Sequence, residues 1–457
     1  MSARVAFDSS LRDRLSRLVY TALWVVATPA IAVYLLWRSR RQPAYRSGWR
    51  ERFLGRYREQ GANQRTGPCV WIHAVSVGET RAAVPLVHAL RACYPDLRLL
   101  VTHMTPTGRD TAVALFGDQV SHAFLAYDYP FAVANFFRHW RPLIGIVMET
   151  EIWPNLMAAA RVAGVPMLLV NGRLSAKSLR SAMRWRSLMR PSARSFTRIL
   201  AQSDDDAKRF ASLTGDTDVP PILRVGNLKF DIEVPVAQRE LAVRFRDRIA
   251  KGGSGSRSIV LCASTREGEE AAIFDAWMRR VSGGADRIAG ALPLLVVVPR
   301  HPQRFDEVLA LAKARGLSIQ RRSDELSIAA ETEVWIGDSM GELFACYLVA
   351  DVAYLGGSLV PLGGQNLIEA AAAGCPILIG PHTFNFTEAS DEAVRAGAAV
   401  RVANFDALIE EALAIASDEA RRRRMADAGI AFAAAHRGAT ERTMEIIASL
   451  LSVSPRI

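Results

Sequence analysis

The chain has 457 residues, half of them apolar and 23% charged, which excludes a disordered or collagen-like chain and leaves room for two compact domains. Five scattered cysteines without a C-x-x-C pair exclude a disulfide framework and a thiolate zinc site, and fit a reducing compartment. The formal charge of +11 calls for an anionic partner; with no nucleic-acid-binding signature present, that partner reads as a membrane or an acidic ligand.

The first element is the uncharged run "LVYTALWVVATPAIAVYLLW", residues 18–37, long enough to cross a bilayer as a helix. "RSRRQPAYRSGWRERFLGRYR" follows at once, and so dense a basic flank belongs on the cytoplasmic side. Trp24, Trp37, Tyr20 and Tyr34 suit the interfaces, and Pro29 would kink the helix. The apolar run is too long for a cleaved signal peptide and is followed by charge. Residues 1–46 are therefore expected to form a retained membrane anchor and its flank, with the body cytoplasmic. A helix lying flat in the interface is the alternative.

From residue 69 short apolar runs alternate with helical stretches. "CVWIHAVSV", "LRLLVTHMT", "HAFLAYD", "LIGIVMET" and "MLLVNG" read as strands. The proline-broken stretch "VPPILRVGNLKFDIEVP", 219–235, reads as an interdomain connector, and "KGGSGSRS", 251–258, as a flexible turn. "IVLCAST", "LLVVVPRH", "EVWIGDS", "VAYLGGS" and "PILIG" then supply five more strands. Such alternation implies parallel sheets covered on both faces. The expected fold class is α/β, with two doubly wound, Rossmann-like domains over 47–232 and 233–457 facing across a cleft. This architecture is similar to the GT-B fold of glycosyltransferases.

Ligands in open α/β sheets bind beyond the carboxyl ends of the strands, and the unusual residues fall there. Glu79 follows the first strand; Glu149 and Glu151 close "LIGIVMETEIWPN"; Asn171 and Arg173 follow "MLLV"; Lys229 and Asp231 sit in the connector. Glu79 has two readings, an anion welcomed by a helix start or a catalytic base. His73 reads as a hydrogen-bonded core histidine, and Trp153-Pro154 as a helix start with a packed indole. In the second half, Ser264, Thr265 and Arg266 follow one strand and Arg300, His301 and Arg304 another. "GDSMGEL" and "GGQNLIEAAAAG" each join a strand to a helix. Gly341 and Gly363-Gly364 would let a phosphate approach backbone N–H groups, and Arg300 adds fixed charge. Asn366 and Glu369, three apart, share a helix face on which a carboxylate would hold ribose hydroxyls. Each has a bland alternative: a turn, an N-cap, a surface ion pair. Arg266, Glu267 and Glu269 read as a charged first turn. No G-x-G-x-x-G at the first βα turn and no Walker A sequence is present, which turns the reading away from dinucleotide enzymes and P-loop ATPases. Residues 178–198 carry arginines at 180, 184, 186, 190, 194 and 198 among apolar residues, a solvated basic face or a membrane-facing helix.

Seven motifs in order, "HAVSVGET", "METEIWPN", "NGRLS", "GNLKFD", "PRHPQRF", "GDSMGEL" and "GGQNLIEAAAAG", resemble the 3-deoxy-D-manno-oct-2-ulosonic acid (Kdo) transferases of lipopolysaccharide synthesis. Gln365 stands where the family often has His. The resemblance implies an inner-membrane GT-B enzyme that moves Kdo from CMP-Kdo to a lipid A precursor (lipid IVA), releasing CMP with inversion. By motif position Glu79 would be the proton acceptor, and Glu149 and Lys229 would stabilise the transition state. Arg300, His301, Met340, Gly341, Glu342, Asn366, Leu367, Ile368 and Glu369 would hold CMP. No Asp-x-Asp is expected at a strand end, which fits transfer without metal or cofactor. The basic residues 38–58 and 177–198 would meet acceptor phosphates and anionic lipids of the inner membrane. The rival reading is another membrane-associated GT-B transferase, using a UDP-sugar on a lipid-linked acceptor. A non-catalytic nucleotide-binding protein would not need the first-half carboxylates, and a soluble epimerase would not need the anchor.

Overall fold

The computed structural model describes residues 11–40, 42–57, 69–231, 234–251, 257–281 and 292–452. The turn expected at 251–258 falls mostly outside these residues, as do Arg41 and Arg58 of the basic flank and Ile232 and Glu233 at the expected domain boundary.

The first unit contains strands β1 (Cys69–His73), β2 (Arg98–His103), β3 (Ser121–Phe124), β4 (Pro142–Met148), β5 (Met167–Gly172), β6 (Arg198–Ala201) and β7 (Ile222–Arg224). They pair in parallel in the order β3-β2-β1-β4-β5-β6-β7. Every residue of β1 and β5 is buried, because helices cover both faces of the sheet. Helix starts recur at the carboxyl ends: Ser76, Thr105, Ser175 and Ser203 each accept the N–H three residues on. The chain runs outward from β1 to β3, then returns to lay β4 on the other side of β1, so the switch point lies at β1 and β4.

The second unit repeats the plan with β8 (Ile259–Thr265), β9 (Leu294–Pro299), β10 (Ile319–Arg321), β11 (Val334–Ile336), β12 (Val352–Leu355), β13 (Ile377–Ile379) and β14 (Ala399–Arg401). Their order is β10-β11-β9-β8-β12-β13-β14, again parallel, with the switch point at β8 and β12.

Three features differ from the sequence expectation. Four strands, β6, β7, β10 and β14, were not anticipated. They are three or four residues long, and β7, β10 and β14 are partly exposed sheet edges that need no apolar run. The supposed connector thus contains β7. Residues 176–194 form two short helices broken at Trp185. There Arg190 and Arg194 donate to the Leu213 and Thr214 carbonyls ending helix Asp204–Thr214, so part of the basic face is structural.

The last difference is in domain extent. The stretch from Arg437 onward belongs to the first unit, and the second ends at His436. Helix Ala439–Ser452 lays Ala439, Ile447 and Leu451 into the core that contains Val225 and Leu228. Asp231 accepts the Gly438 and Thr440 N–H groups, and Arg442 donates to the Val225 carbonyl at 2.7 and 3.0 Å.

The N-terminal helix, Leu11–Ser39, packs along one side on the first unit. Thr21, Trp24, Thr28, Ile31 and Leu35, spaced three and four apart, make one face that docks on the first unit. Trp24 stacks on Tyr127 at 5.8 Å and lies 6.0 Å from Trp153, and the Thr28 and Tyr129 hydroxyls are 2.6 Å apart. The opposite face exposes Leu15, Leu18, Val26 and Val33. This helix is long and apolar enough to cross a membrane.

Ile447 is fully buried in the first unit's core. Ile447→Ala is expected to destabilise that unit by roughly 2–5 kcal/mol. Limited proteolysis should show faster cleavage within 69–231 and unchanged protection of 257–436.

Candidate active site

Glu79 is the third residue of helix Val77–Ala82, which starts directly beyond β1. Ser76 caps that helix, and its hydroxyl donates to Glu79 Oε1 at 3.0 Å, while the Val75 N–H donates to Oε2 at 2.8 Å. The arrangement is a variant of the capping box, with the return bond made one residue before the cap. Both readings of Glu79 therefore meet in one side chain. The two donors favour the carboxylate, but Glu79 is only 9% exposed, and Glu149 and Glu151 repel it. Burial is the largest effect, and the pKa is pushed up to about 7.

Glu149 follows β4 across the switch point, with left-handed backbone at φ 59°. A non-glycine residue pays strain for that conformation; here the Glu149 N–H bonds Val170, and its carbonyl receives the Arg173 N–H at 3.2 Å. Its carboxylate meets Lys229 Nζ at 3.0 Å, both side chains about one-fifth exposed. Lys229 is held by its loop. Asn171, also left-handed at φ 56°, accepts the Leu228 N–H, and Asn227 accepts that of Lys229, each at 3.0 Å.

Glu151 accepts the Trp153 indole N–H at 2.7 Å, and its pKa is raised by burial and then by Glu149. Pro154 opens the next helix, and Asp128 caps it by accepting the Asn155 and Leu156 N–H groups. His73 is buried, bonded through Nδ1 to Thr102, and pushed down to about 3 by desolvation, a neutral core histidine.

An Asp-x-Asp does follow a strand, contrary to expectation, because four-residue β6 is too short to stand out as an apolar run: Asp204-Asp205-Asp206 begins the next helix. Its carboxylates are committed. Asp206 accepts the Leu174 N–H and the Ser203 hydroxyl, Asp205 pairs with Arg209 at 3.0 Å, and Asp204 lies 3.8 Å from Arg224. Among the described residues no group of three His, Cys, Asp or Glu is placed to hold a metal ion.

In the second unit the expected residues cluster at strand ends. Arg300 follows β9 and donates its N–H to the Thr265 carbonyl at 3.0 Å. His301 is exposed, and desolvation with Arg300, Arg266 and Arg304 nearby lowers its pKa. Met340 is exposed, and Gly341, at φ 83°, has open space where a side chain would stand. The Glu342 carboxylate is gripped by Arg322 through two bonds of 2.9 Å and by Ser339, so its main chain is what it offers a ligand. Leu367 and Ile368 have fully buried side chains, and Asn366 Oδ1 accepts the Ile368 N–H at 3.2 Å. Glu369 is half-buried at the start of helix Ile368–Ala372. Gly363 needs its missing side chain: a Cβ would fall 2.4 Å from Asn385.

The residues not anticipated are Glu269 and Glu270. Glu269 is fully buried at the switch point and accepts the Gly357 N–H, the Arg266 N–H and the Tyr354 hydroxyl, all within 2.9 Å. Glu270 receives Thr265 Oγ1 and both arms of Arg304 at 2.7 and 3.0 Å. Together they fasten the ends of β8, β9 and β12. A charged pair at a helix start resembles a solvated first turn; only the apolar residues that follow (Ile273, Phe274, Trp277) hint at its burial.

A family model described as 3-deoxy-D-manno-octulosonic-acid transferase (kdotransferase) matches residues 47–232. The 3-deoxy-D-manno-octulosonic acid transferase of Bordetella pertussis is 41% identical over 439 residues, 95% of this chain and 99% of that one. The chain belongs to the Kdo transferase family. The enzyme of the same name from Haemophilus influenzae is 34% identical, covering 94% of this chain and 98% of its own. A solved glycosyltransferase from Rickettsia africae superposes with a TM-score of 0.56 at 13% identity, over 85% of this chain and 100% of its own, a likeness of fold. The transferase is thus a GT-B glycosyltransferase of lipopolysaccharide biosynthesis.

Glu269→Ala in the transferase would strand three buried donors, at roughly 1–3 kcal/mol each. Its melting temperature should drop well below that of Glu269→Gln, which keeps one accepting oxygen.

Proposed function

We propose that the enzyme transfers Kdo from CMP-Kdo to a sugar hydroxyl of a lipid A precursor, lipid IVA, by inverting single displacement. The observation that carries this is Glu79, a buried carboxylate at the first strand's end whose pKa is raised to about 7. The acceptor hydroxyl is a poor nucleophile and must lose its proton as it attacks. Its oxygen bonds to the anomeric carbon, the bond from that carbon to the phosphate oxygen breaks, the electron pair leaves with CMP, and the proton passes to Glu79. A base with pKa near the working pH suits this step.

Lys229 supplies positive charge for the transition state, with Glu149 fixing its ammonium. In the second unit Arg300 and His301 take the phosphate. Met340, Gly341 and Glu342 meet the nucleotide through backbone and thioether, Asn366, Leu367 and Ile368 through main chain and amide, and Glu369 holds the ribose hydroxyls. Cationic side chains do the work a metal would otherwise do, so no metal or cofactor is assigned.

The membrane reading rests on the helix Leu11–Ser39. Its exposed apolar face, with Arg12, Arg14 and Arg17 at one end and Arg38 and Arg40 at the other, suits a helix lying in the interface of the inner membrane. Because the opposite face is docked on protein, lipid would reach only one side of it. The body then stays cytoplasmic beside a lipid acceptor, and the basic residues add attraction for anionic headgroups.

Transfer is tested by CMP release and lipid mass with CMP-Kdo and a tetra-acylated acceptor. Glu79→Gln should lower kcat by roughly 10²–10⁴-fold with CMP-Kdo binding retained; full activity would leave Glu79 a capping residue only. A UDP-sugar accepted in place of CMP-Kdo would establish the rival reading.

The pH profile follows from the sign of the shift. The base works only when ionised, so the rate of the intact enzyme should fall as pH drops through about 7, approaching tenfold per unit. That limb should vanish in Glu79→Gln.

A further inference from the structure

We infer that the first unit holds one anionic phospholipid of the bilayer in a groove separate from its catalytic carboxylates. The inference rests on the membrane placement proposed above and assigns that contact a specific site. Helices Pro130–Trp140 and Pro154–Ala163 present small residues, Ala134, Ala158, Ala159 and Ala163, along a groove of about 740 Å³. That volume lies within the roughly 300–1,000 Å³ typical of small-molecule sites. Phe137 and Val162 line it, and Leu18 and Thr21 of the N-terminal helix form a wall. The lining is mostly apolar, as an acyl chain requires.

The charged part of the lining is cationic. Arg17, Arg138, Arg141 and Arg161 come from three helical segments with no aspartate or glutamate in the groove. Among the described residues none of the four forms a salt bridge. Arg17 and Arg161 also line an adjoining cavity of about 50 Å³, where Arg14 joins them and Asp13 is the one acidic residue. An apolar channel opening beside clustered guanidinium groups matches a phosphodiester with an acyl tail, because arginine binds phosphate in a two-pronged fashion. A zwitterionic headgroup would bring a second cation into an arginine-rich place.

Continuity with the bilayer identifies the source. Leu18, in the groove wall, belongs to the exposed apolar face that also carries Leu15, Val26 and Val33. A lipid can therefore enter sideways without crossing water. Glu79, Glu149 and Lys229 are absent from the lining, so the groove is assigned to a resident lipid and not to the acceptor.

The test uses the full-length protein in mild detergent. Native mass spectrometry follows added phosphatidylglycerol, phosphatidylcholine or tetra-acylated lipid A precursor, and flotation with phosphatidylglycerol-containing vesicles is measured in parallel. One phosphatidylglycerol should be retained in preference to phosphatidylcholine. In Arg138→Gln/Arg141→Gln/Arg161→Gln its affinity should fall on the order of 100-fold. Ala159→Phe, which fills the channel and leaves the charges, should weaken it as well. Both variants should float and melt as the parent does. Retention unaffected by either change, or no headgroup preference, would overturn the site. Precursor displacing phosphatidylglycerol, with the arginine changes raising KM for acceptor, would reassign the groove to the acceptor. Failure of the parent to float would remove the membrane reading itself.

Discussion

The ion pair of Glu149 and Lys229 is the contact on which the first unit's site depends. Glu149 stands just past a central strand in a backbone conformation that its neighbours hold, and Lys229 comes from the segment after the sheet's last strand. Asn171, Asn227 and Asp231 secure that loop, and Asp231 in turn binds the start of the C-terminal helix. Removing Lys229 would leave the partly desolvated Glu149 carboxylate beside Glu79 and Glu151, which costs more than the pair itself contributes. Glu149 also faces Glu79, where its repulsion adds to burial in raising the proton affinity of the base.

The two units use one position for opposite ends. In each sheet a glutamate stands in the opening turn of the helix beyond the first strand, Glu79 after β1 and Glu269 after β8. Glu269 takes donors from its own loop, from Tyr354 in β12 and from the loop beyond that strand, so its oxygens are used up in fixing the switch point. Glu79 takes two donors from its own turn, Val75 and Ser76, and retains lone pairs with which to accept a proton. The count and source of donors, rather than the residue type, separate a structural carboxylate from a reactive one.

Ten of the strands could be read from the sequence because buried parallel strands are continuous apolar runs, and the junction residues could be read because such sheets present ligand groups at one edge. The edge strands carry no such run, so "ILR", "IQR" and "AVR" were invisible. β6 is also short, and so nothing in the sequence marks the Asp-x-Asp after it as standing at a strand end. Glu79 and Glu149 were legible as candidates; the capping bonds and the raised pKa were not, because both depend on what surrounds the turn. The docked stripe of the N-terminal helix was hidden for a different reason. Its solvent-side residues are as apolar as its buried ones, so no contrast marks which face packs on protein.

The return of the last helix to the first unit has a bearing on biosynthesis. As the chain leaves the ribosome, β1 to β7 are complete long before Ala439, Ile447 and Leu451 exist to cover their part of the core. The whole second unit must be made in the interval. The nascent first unit therefore carries an uncapped apolar surface, together with the exposed face of its leading helix, throughout translation of some two hundred further residues. Early attachment of that leading helix to a membrane would shelter one of these surfaces; the other stays open until the final turns of the chain emerge.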